Sequence, residues 1–340
     1  MSADRSARRS PRANVARIGL AVLPTPLDDA PRLTTALGGP RILVKRDDLT
    51  GLALGGNKAR KLELLAAQAR DEHADILVTG GGLQSNHARL TAAAANRLGI
   101  DCHLVLAGPE PTASSGNLLL DRLLGATLEF GASSQYNRLE QAIVDASARL
   151  ASQGRRPFAI PIGGASVTGV IAYADAVDEL RAQLERTEVA TPDWIVVADG
   201  SGGTHAGIIA GLVDAAIGVI GVDVGTRPDL DDAVARLASE AATMSGRDQP
   251  TAEVIVDHDH VGAGYGEPSA AAVEAMTIAA RTESLVLDPV YTSKAMAALV
   301  ARVRDGRIGA KETVVFWHTG GAPALFDPRY APCLDGIRAI

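Results

Sequence analysis

Two lysines three residues apart stand at the mouth of a helical pattern in Gly55-Gly56-Asn57-Lys58-Ala59-Arg60-Lys61. From Lys58 to Arg70, Leu62, Leu65, Ala66 and Ala69 fall on one stripe while Arg60, Glu63 and Arg70 fall elsewhere, which is helical periodicity. The helix therefore starts near Asn57, whose side chain can cap it, and the glycine pair ahead permits close backbone approach. A lysine in the first turn meets the positive end of the macrodipole, which favours the neutral, nucleophilic amine. Such an amine can bond covalently to a carbonyl cofactor. The plain alternative is a pair of solvated helix lysines.

Further along, Gly80-Gly81-Gly82-Leu83-Gln84-Ser85-Asn86-His87 delivers a hydroxyl, an amide and an imidazole to a helix N-terminus, where anions are favoured. Ser85 and the amides after it could hold a carboxylate and Asn86 could donate to a phenolate oxygen, or either could be an ordinary N-cap. Asp199-Gly200-Ser201-Gly202-Gly203-Thr204-His205-Ala206-Gly207 is again strand, glycine loop, helix, and its consecutive N–H groups make a nest for one phosphate. It matches neither the Walker nor the dinucleotide spacing, and a tight turn is the dull alternative. Gly264-Tyr265-Gly266 and Asp288-Pro289-Val290-Tyr291-Thr292 place two of only five tyrosines in loops, where a phenol can relay protons or simply pack. His318-Thr319-Gly320-Gly321 brings one more hydroxyl to a strand end. A lysine, a phosphate nest, an amide and a hydroxyl for a ring nitrogen together make a pyridoxal phosphate site. No metal site is expected.

Positioning these groups falls to a β-then-α alternation. Strands are predicted at 41–48, 75–79, 103–106, 127–130, 158–161, 194–198, 219–224, 254–256, 285–287 and 313–317. Helices are predicted from residue 58 and at 86–98, 116–124, 135–151, 170–184, 205–212, 229–242 and 292–303. Repeated units of this kind imply parallel sheets covered by helices on both faces. Two α/β lobes follow: residues 1–55 with 165–340 form a larger cofactor-binding lobe and 56–164 a smaller one. The change of lobe falls at Ile162-Gly163-Gly164-Ala165, and the ligand lies in the cleft at the strand carboxyl ends.

At 340 residues the chain exceeds one ordinary domain. Apolar residues make up 46% but aromatics only 3%, leaving no platform for stacking single-stranded nucleic acid. A formal charge of −7 argues against phosphate-backbone binding, and no apolar run approaches a bilayer span. Cys102 and Cys333 are too few for a disulfide framework. The cytoplasm, a small-molecule substrate, no nucleic acid and no membrane are the expectations. Residues 1–17, Arg- and Ser-rich without an apolar core, read as an N-terminal arm rather than a secretory signal.

From about Leu23 to about Phe326 the motifs quoted above, together with Val44-Lys45-Arg46-Asp47-Asp48, resemble the D-cysteine desulfhydrase / 1-aminocyclopropane-1-carboxylate deaminase family of tryptophan-synthase-β-like, fold-type II pyridoxal phosphate enzymes. The resemblance implies that Lys58 carries the cofactor, that Lys61 and the loop Gly200, Ser201, Gly202, Gly203 and Thr204 hold its phosphate, and that Asn86 meets the pyridine hydroxyl. Ser85 matches the hydroxyl beside the substrate carboxylate and Cα, and Tyr265 and Tyr291 the phenols that face the substrate. A homodimer is implied as well.

Departures bear on the reaction. Thr292 stands where deaminases have Glu, Thr319 where they have Leu, and His87 where they have Gln; Leu90 and Trp317 differ too. A hydroxyl at the ring nitrogen leaves it largely neutral, which suits expulsion of a good leaving group from Cβ better than opening a cyclopropane. The expectation is α,β-elimination from a small β-substituted amino acid, D-cysteine first, giving pyruvate, ammonia and hydrogen sulfide. L-cysteate sulfo-lyase, 1-aminocyclopropane-1-carboxylate deaminase and amino-acid racemase activities remain alternatives, as does a non-catalytic phosphate- or nucleotide-binding module.

Overall fold

The computed structural model describes residues 15–212 and 216–334; of the expected N-terminal arm, residues 1–14 lie outside the described residues. In chain order the elements are β1 (Leu27–Asp29), α1 (Pro31–Leu37), β2 (Arg41–Arg46), α2 (Lys58–Asp71), β3 (Ile76–Gly82), α3 (Asn86–Leu98) and β4 (Asp101–Ala107). Then come α4 (Gly116–Leu123), β5 (Thr127–Ala132), α5 (Tyr136–Ser152), β6 (Pro157–Ala159), α6 (Val167–Arg186), β7 (Trp194–Asp199), α7 (Gly203–Gly211) and β8 (Gly218–Asp223). The last are α8 (Leu230–Met244), β9 (Ile255–Asp257), α9 (Ala270–Glu283), α10 (Thr292–Arg304), β10 (Thr313–His318) and α11 (Ala331–Leu334).

The strands form a six-stranded sheet in the order β1-β2-β10-β7-β8-β9 and a four-stranded sheet in the order β5-β4-β3-β6. All pairings are parallel except the edge pair β1 and β2. Successive strand residues point to opposite faces, and here both faces are apolar. Ile195 and Val197 join Val170, Val177 and Ile208 of α6 and α7, while Val196 and Ala198 join Leu33, Ala279 and Leu299 of α1, α9 and α10. In the small sheet Leu77 and Leu104 pack under α2 and α3, and Ile76 and Val78 under α5. Continuous apolar runs are the mark of strands buried on both sides.

Four departures from the sequence reading stand out. Leu285 and Leu287 are buried beside α9 and α10 but, among the described residues, pair with no strand, since three residues of alternating burial fit a connection as well as a sheet. Helix α9 was absent from the expectation because its Ala-rich sequence blurs the apolar stripe; Ser269, which caps it by accepting from the Ala272 amide, was the available signal. The short β1 and α1 were likewise unforeseen. Strand β2 also stops at Arg46, and Asp47 opens a 3₁₀ turn.

Candidate active site

The carboxyl ends of the parallel strands of both sheets meet around a cavity of about 400 Å³. Lys58, Ser85, Asn86, His87, Gly200 to Thr204, Tyr265, Tyr291 and Thr319 all line it. Of the residues expected to hold cofactor or substrate, Lys61 and Thr292 are off its wall.

Lys58 opens α2, and its Nζ donates to Asn57 Oδ1 at 3.1 Å. Burial brings the amine down to about 8, against the pull of the Asp199 and Asp288 carboxylates. Asn57 does not cap the helix; its Nδ2 donates to Thr204 Oγ1 at 3.0 Å and so ties the lysine to the glycine loop. Beneath, the fully buried Asp47 accepts from Arg60, Thr25 Oγ1, Tyr173 Oη and Trp317 Nε1, at 2.5–3.0 Å. Burial by itself would raise this carboxyl, but Arg60 and the Tyr173 and Trp317 donors hold it below the usual range. The ionic knot fixes α2, and thus Lys58, against the large sheet.

The loop before α7 is a phosphate cradle by geometry. Gly202 has φ 85, a left-handed conformation that strains a side chain, and the first-turn N–H groups of α7 have no helical acceptor. The Gly202 amide itself is committed, donating to Asp199 Oδ1 at 3.0 Å, while Asp199 Oδ2 pairs with His205 Nδ1 at 2.8 Å. Behind the loop Lys61 is fully buried, its Nζ donating to the Gly163 carbonyl at 3.2 Å. Burial, then the nearby Lys58 charge, push its pKa well down, with Asp199 opposing. A buried lysine amine that forms no salt bridge among the described residues, hydroxyls on Ser201 and Thr204 and the helix amides make a donor set that fits a phosphate. The donor set of this cavity fits pyridoxal phosphate.

Across the cavity Asn86 is oriented by its neighbours. Its Oδ1 accepts from Arg89 Nη2 at 3.1 Å and Asn117 Nδ2 at 3.0 Å, which leaves the NH₂ group as the donor for a ligand oxygen. Arg89 is held in turn by Asn117 Oδ1 and the carbonyls of Ala53 and Gly55. Ser85 does cap α3, its Oγ accepting from the Ala88 amide at 3.2 Å, and the residue also lines the cavity. His87 Nε2 meets Thr79 Oγ1 at 3.1 Å; that hydroxyl donates to the Ile160 carbonyl, so the network assigns the proton to Nε2. Burial and the two lysines keep the imidazole neutral.

On the remaining wall the Tyr265 and Tyr291 hydroxyls are 2.5 Å apart. Burial raises both phenols; the bond from Tyr291 pulls Tyr265 back and raises Tyr291 further, making Tyr265 the more acidic of the two. Thr319 lines the cavity, and its backbone carbonyl accepts from the Asn57 amide at 3.0 Å. Thr292 does not line it: its Oγ1 donates to Asp288 Oδ1 at 2.7 Å and accepts from the Asp288 amide at 2.8 Å. Asp288, fully buried, also takes the amides of Val290, Tyr291 and Thr292, so the expectation that Thr292 joins Thr319 at one ring atom is not met by the Thr292 side chain.

Sequence reasoning missed Asp199 and His205 as a pair, although both stand in the quoted loop, and it missed Tyr136, Thr226 and Glu267 on the cavity wall. Arg89 and Asn117 gave no signal, because their meeting depends on the packing of α3 against α4. Among the described residues no His, Cys, Asp and Glu cluster could hold a metal ion, and no helix is long and apolar enough to cross a membrane.

Comparison with known proteins follows this geometry. The family model described as pyridoxal-phosphate dependent enzyme matches residues 18–320. A D-cysteine desulfhydrase of Klebsiella pneumoniae (strain 342) is 40% identical over 319 residues, 91% of this chain and 95% of that protein. A D-cysteine desulfhydrase of Salmonella newport (strain SL254) is 39% identical over 322 residues, with the same coverage. Among solved structures, an ACC deaminase homologue superposes with a TM-score of 0.85 at 36% identity, covering 95% of this chain and 96% of its own. A fungal L-serine ammonia-lyase from Rhizomucor miehei, 19% identical with a TM-score of 0.65, covers 93% and 97% and shares the fold.

Proposed function

The chain belongs to the pyridoxal-phosphate dependent enzymes, and from that premise we propose that it is a lyase cleaving D-cysteine, with water, to pyruvate, ammonia and hydrogen sulfide. One observation carries the reading: a buried amine near neutrality, Lys58, shares a cavity with the phosphate cradle and with a pair of hydrogen-bonded phenols. The relatives named D-cysteine desulfhydrase supply the substrate.

When bound, pyridoxal phosphate supplies an electron sink for negative charge at the substrate Cα. Lys58 would anchor it covalently, Lys61 and Gly200 to Thr204 would hold its phosphate, the Asn86 amide would donate to its ring oxygen and Thr319 to its ring nitrogen. Ser85 and the first amides of α3 hold the substrate carboxylate. Once the substrate amine has displaced it, Lys58 Nζ is a free amine with a pKa lowered to about 8, and it takes the Cα proton. Tyr265 Oη, backed by the Tyr291 hydroxyl, gives a proton to the departing sulfur. His87, neutral and tethered to Thr79, borders the substrate without adding charge.

The lobes at 1–55 with 165–340 and at 56–164 belong to the same reading, with the cofactor chiefly on the larger. So do a homodimer, for which the exposed Leu119, Leu123 and Phe326 offer apolar surface, and a cytoplasmic setting. The test is to measure keto acid and sulfide from D-cysteine, L-cysteine, L-cysteate, β-chloro-D-alanine and 1-aminocyclopropane-1-carboxylate. Pyruvate with sulfide from D-cysteine is expected. If only the cyclopropane substrate reacts, giving 2-oxobutyrate, the enzyme is a deaminase instead.

A further inference from the structure

The loop from β9 to α9 carries Tyr265 into the cavity, yet between Asp257 and Ala270 it has no helix or strand of its own. A cation holds it. Lys294 Nζ, from the first turn of α10, donates to the carbonyls of Val261 and Gly264 at 2.7 Å each and reaches that of Val224, just past β8, at 3.4 Å. The side chain is fully buried and, among the described residues, forms no salt bridge.

Such a residue is expensive. A buried ammonium sacrifices hydration, and the N-terminal turn of a helix repels positive charge. Burial lowers the Lys294 pKa to about 8; Asp223, Asp288 and Glu267 oppose this from longer range. An uncharged side chain of the same length would fill the space at less cost, so the charge has a use beyond packing. Tyr291 directly precedes α10, three residues before Lys294. A single side chain therefore joins the segment bearing one phenol to the loop bearing the other, and the two hydroxyls meet at 2.5 Å. On its far side the Tyr265 ring rests on Gly82, where a Cβ would come 3.1 Å from Cε1.

We infer that Lys294 is a positioning residue: its ammonium is an internal cation that gathers the loop carbonyls and sets the Tyr265 hydroxyl against Tyr291. The inference rests on the reading of Tyr265 as the proton donor to the leaving group.

The test is Lys294→Met in protein loaded with pyridoxal phosphate. Without substrate, amide hydrogen exchange should quicken across residues 258–267 while the visible absorption stays unchanged. With D-cysteine, kcat should fall about 10- to 100-fold, the scale on which misplacing a reacting group by about 1 Å acts, with KM little altered. In a Tyr265→Phe background the same change should cost less than about twofold, because the group it positions is already gone. Ammonium or methylammonium chloride, but not sodium chloride, should restore part of the turnover of Lys294→Ala. Should Lys294→Met not fold, Lys294→Gln, which keeps two N–H donors, is read by the same measurements. Unchanged exchange in the loop, or a full multiplicative loss in the Tyr265→Phe background, overturns the inference. Exchange in the loop needs no turnover, so it decides the tether even if D-cysteine proves not to be the substrate.

Discussion

The Lys61 ammonium lies directly against the backbone of Gly203: a Cβ on that glycine would come 2.8 Å from Nζ. The lysine thus reaches the phosphate loop from behind, through the gap that a missing side chain leaves. In the cofactor-free protein this is a buried amine whose charged form is disfavoured, with a backbone carbonyl for company, which destabilises the fold. Lys61→Met is therefore expected to raise the melting temperature of cofactor-free protein while weakening cofactor binding. Loss of a charged hydrogen bond, about 1.5–3 kcal/mol, corresponds to a roughly 10- to 150-fold higher Kd. Calorimetric melting and a fluorescence titration with pyridoxal phosphate check the two signs separately.

Lys58 should show its depressed pKa in the rate of cofactor capture. Below about 8 the amine is protonated and non-nucleophilic, so the rate of covalent loading should climb with pH and level off above that value. Stopped-flow absorbance in the visible region follows it. Lys58→Ala should remain colourless after gel filtration and be inactive.

The two threonines of the sequence reading should part company. Thr319→Ala removes one neutral hydrogen bond to the cofactor, about 0.5–1.5 kcal/mol or roughly 2- to 12-fold in Kd, with little change in stability. Thr292→Ala strips a partner from the buried Asp288, so it should cost about 1–3 kcal/mol of folding stability instead. Urea midpoints alongside cofactor titrations separate them. Thr292→Glu is expected not to fold, since it would set a second carboxylate against Asp288.

Asp47 anchors α2 through four donor residues. Asp47→Asn should cost about 3–5 kcal/mol, because Arg60 is then left as a less compensated buried charge. A carboxyl held below its ordinary 3.8 in the folded state binds fewer protons there than unfolded. Its contribution is therefore complete above that value and lost as pH falls through the depressed pKa. Urea unfolding of the native protein and the variant should converge toward low pH.

Much of this protein was written locally. The helix from Lys58, the glycine turns after β3 and β7 and the alternation of strands with helices each depend on residues close in sequence, whose turn chemistry and periodicity are set before any long-range contact forms. The same locality let a lysine, a phosphate nest and two loop tyrosines be named with no partner in view. Tertiary packing decided the assignments between those pieces. Asn57 became a strap to Thr204, Thr292 turned to Asp288, and the Asn86 amide took its direction from Arg89 and Asn117. In each case a buried polar group had to find its hydrogen bond wherever the fold brought one. The acidity of Lys58 likewise follows from how completely the two lobes strip it of water, and desolvation is a property of the assembled cleft that no stretch of sequence carries alone.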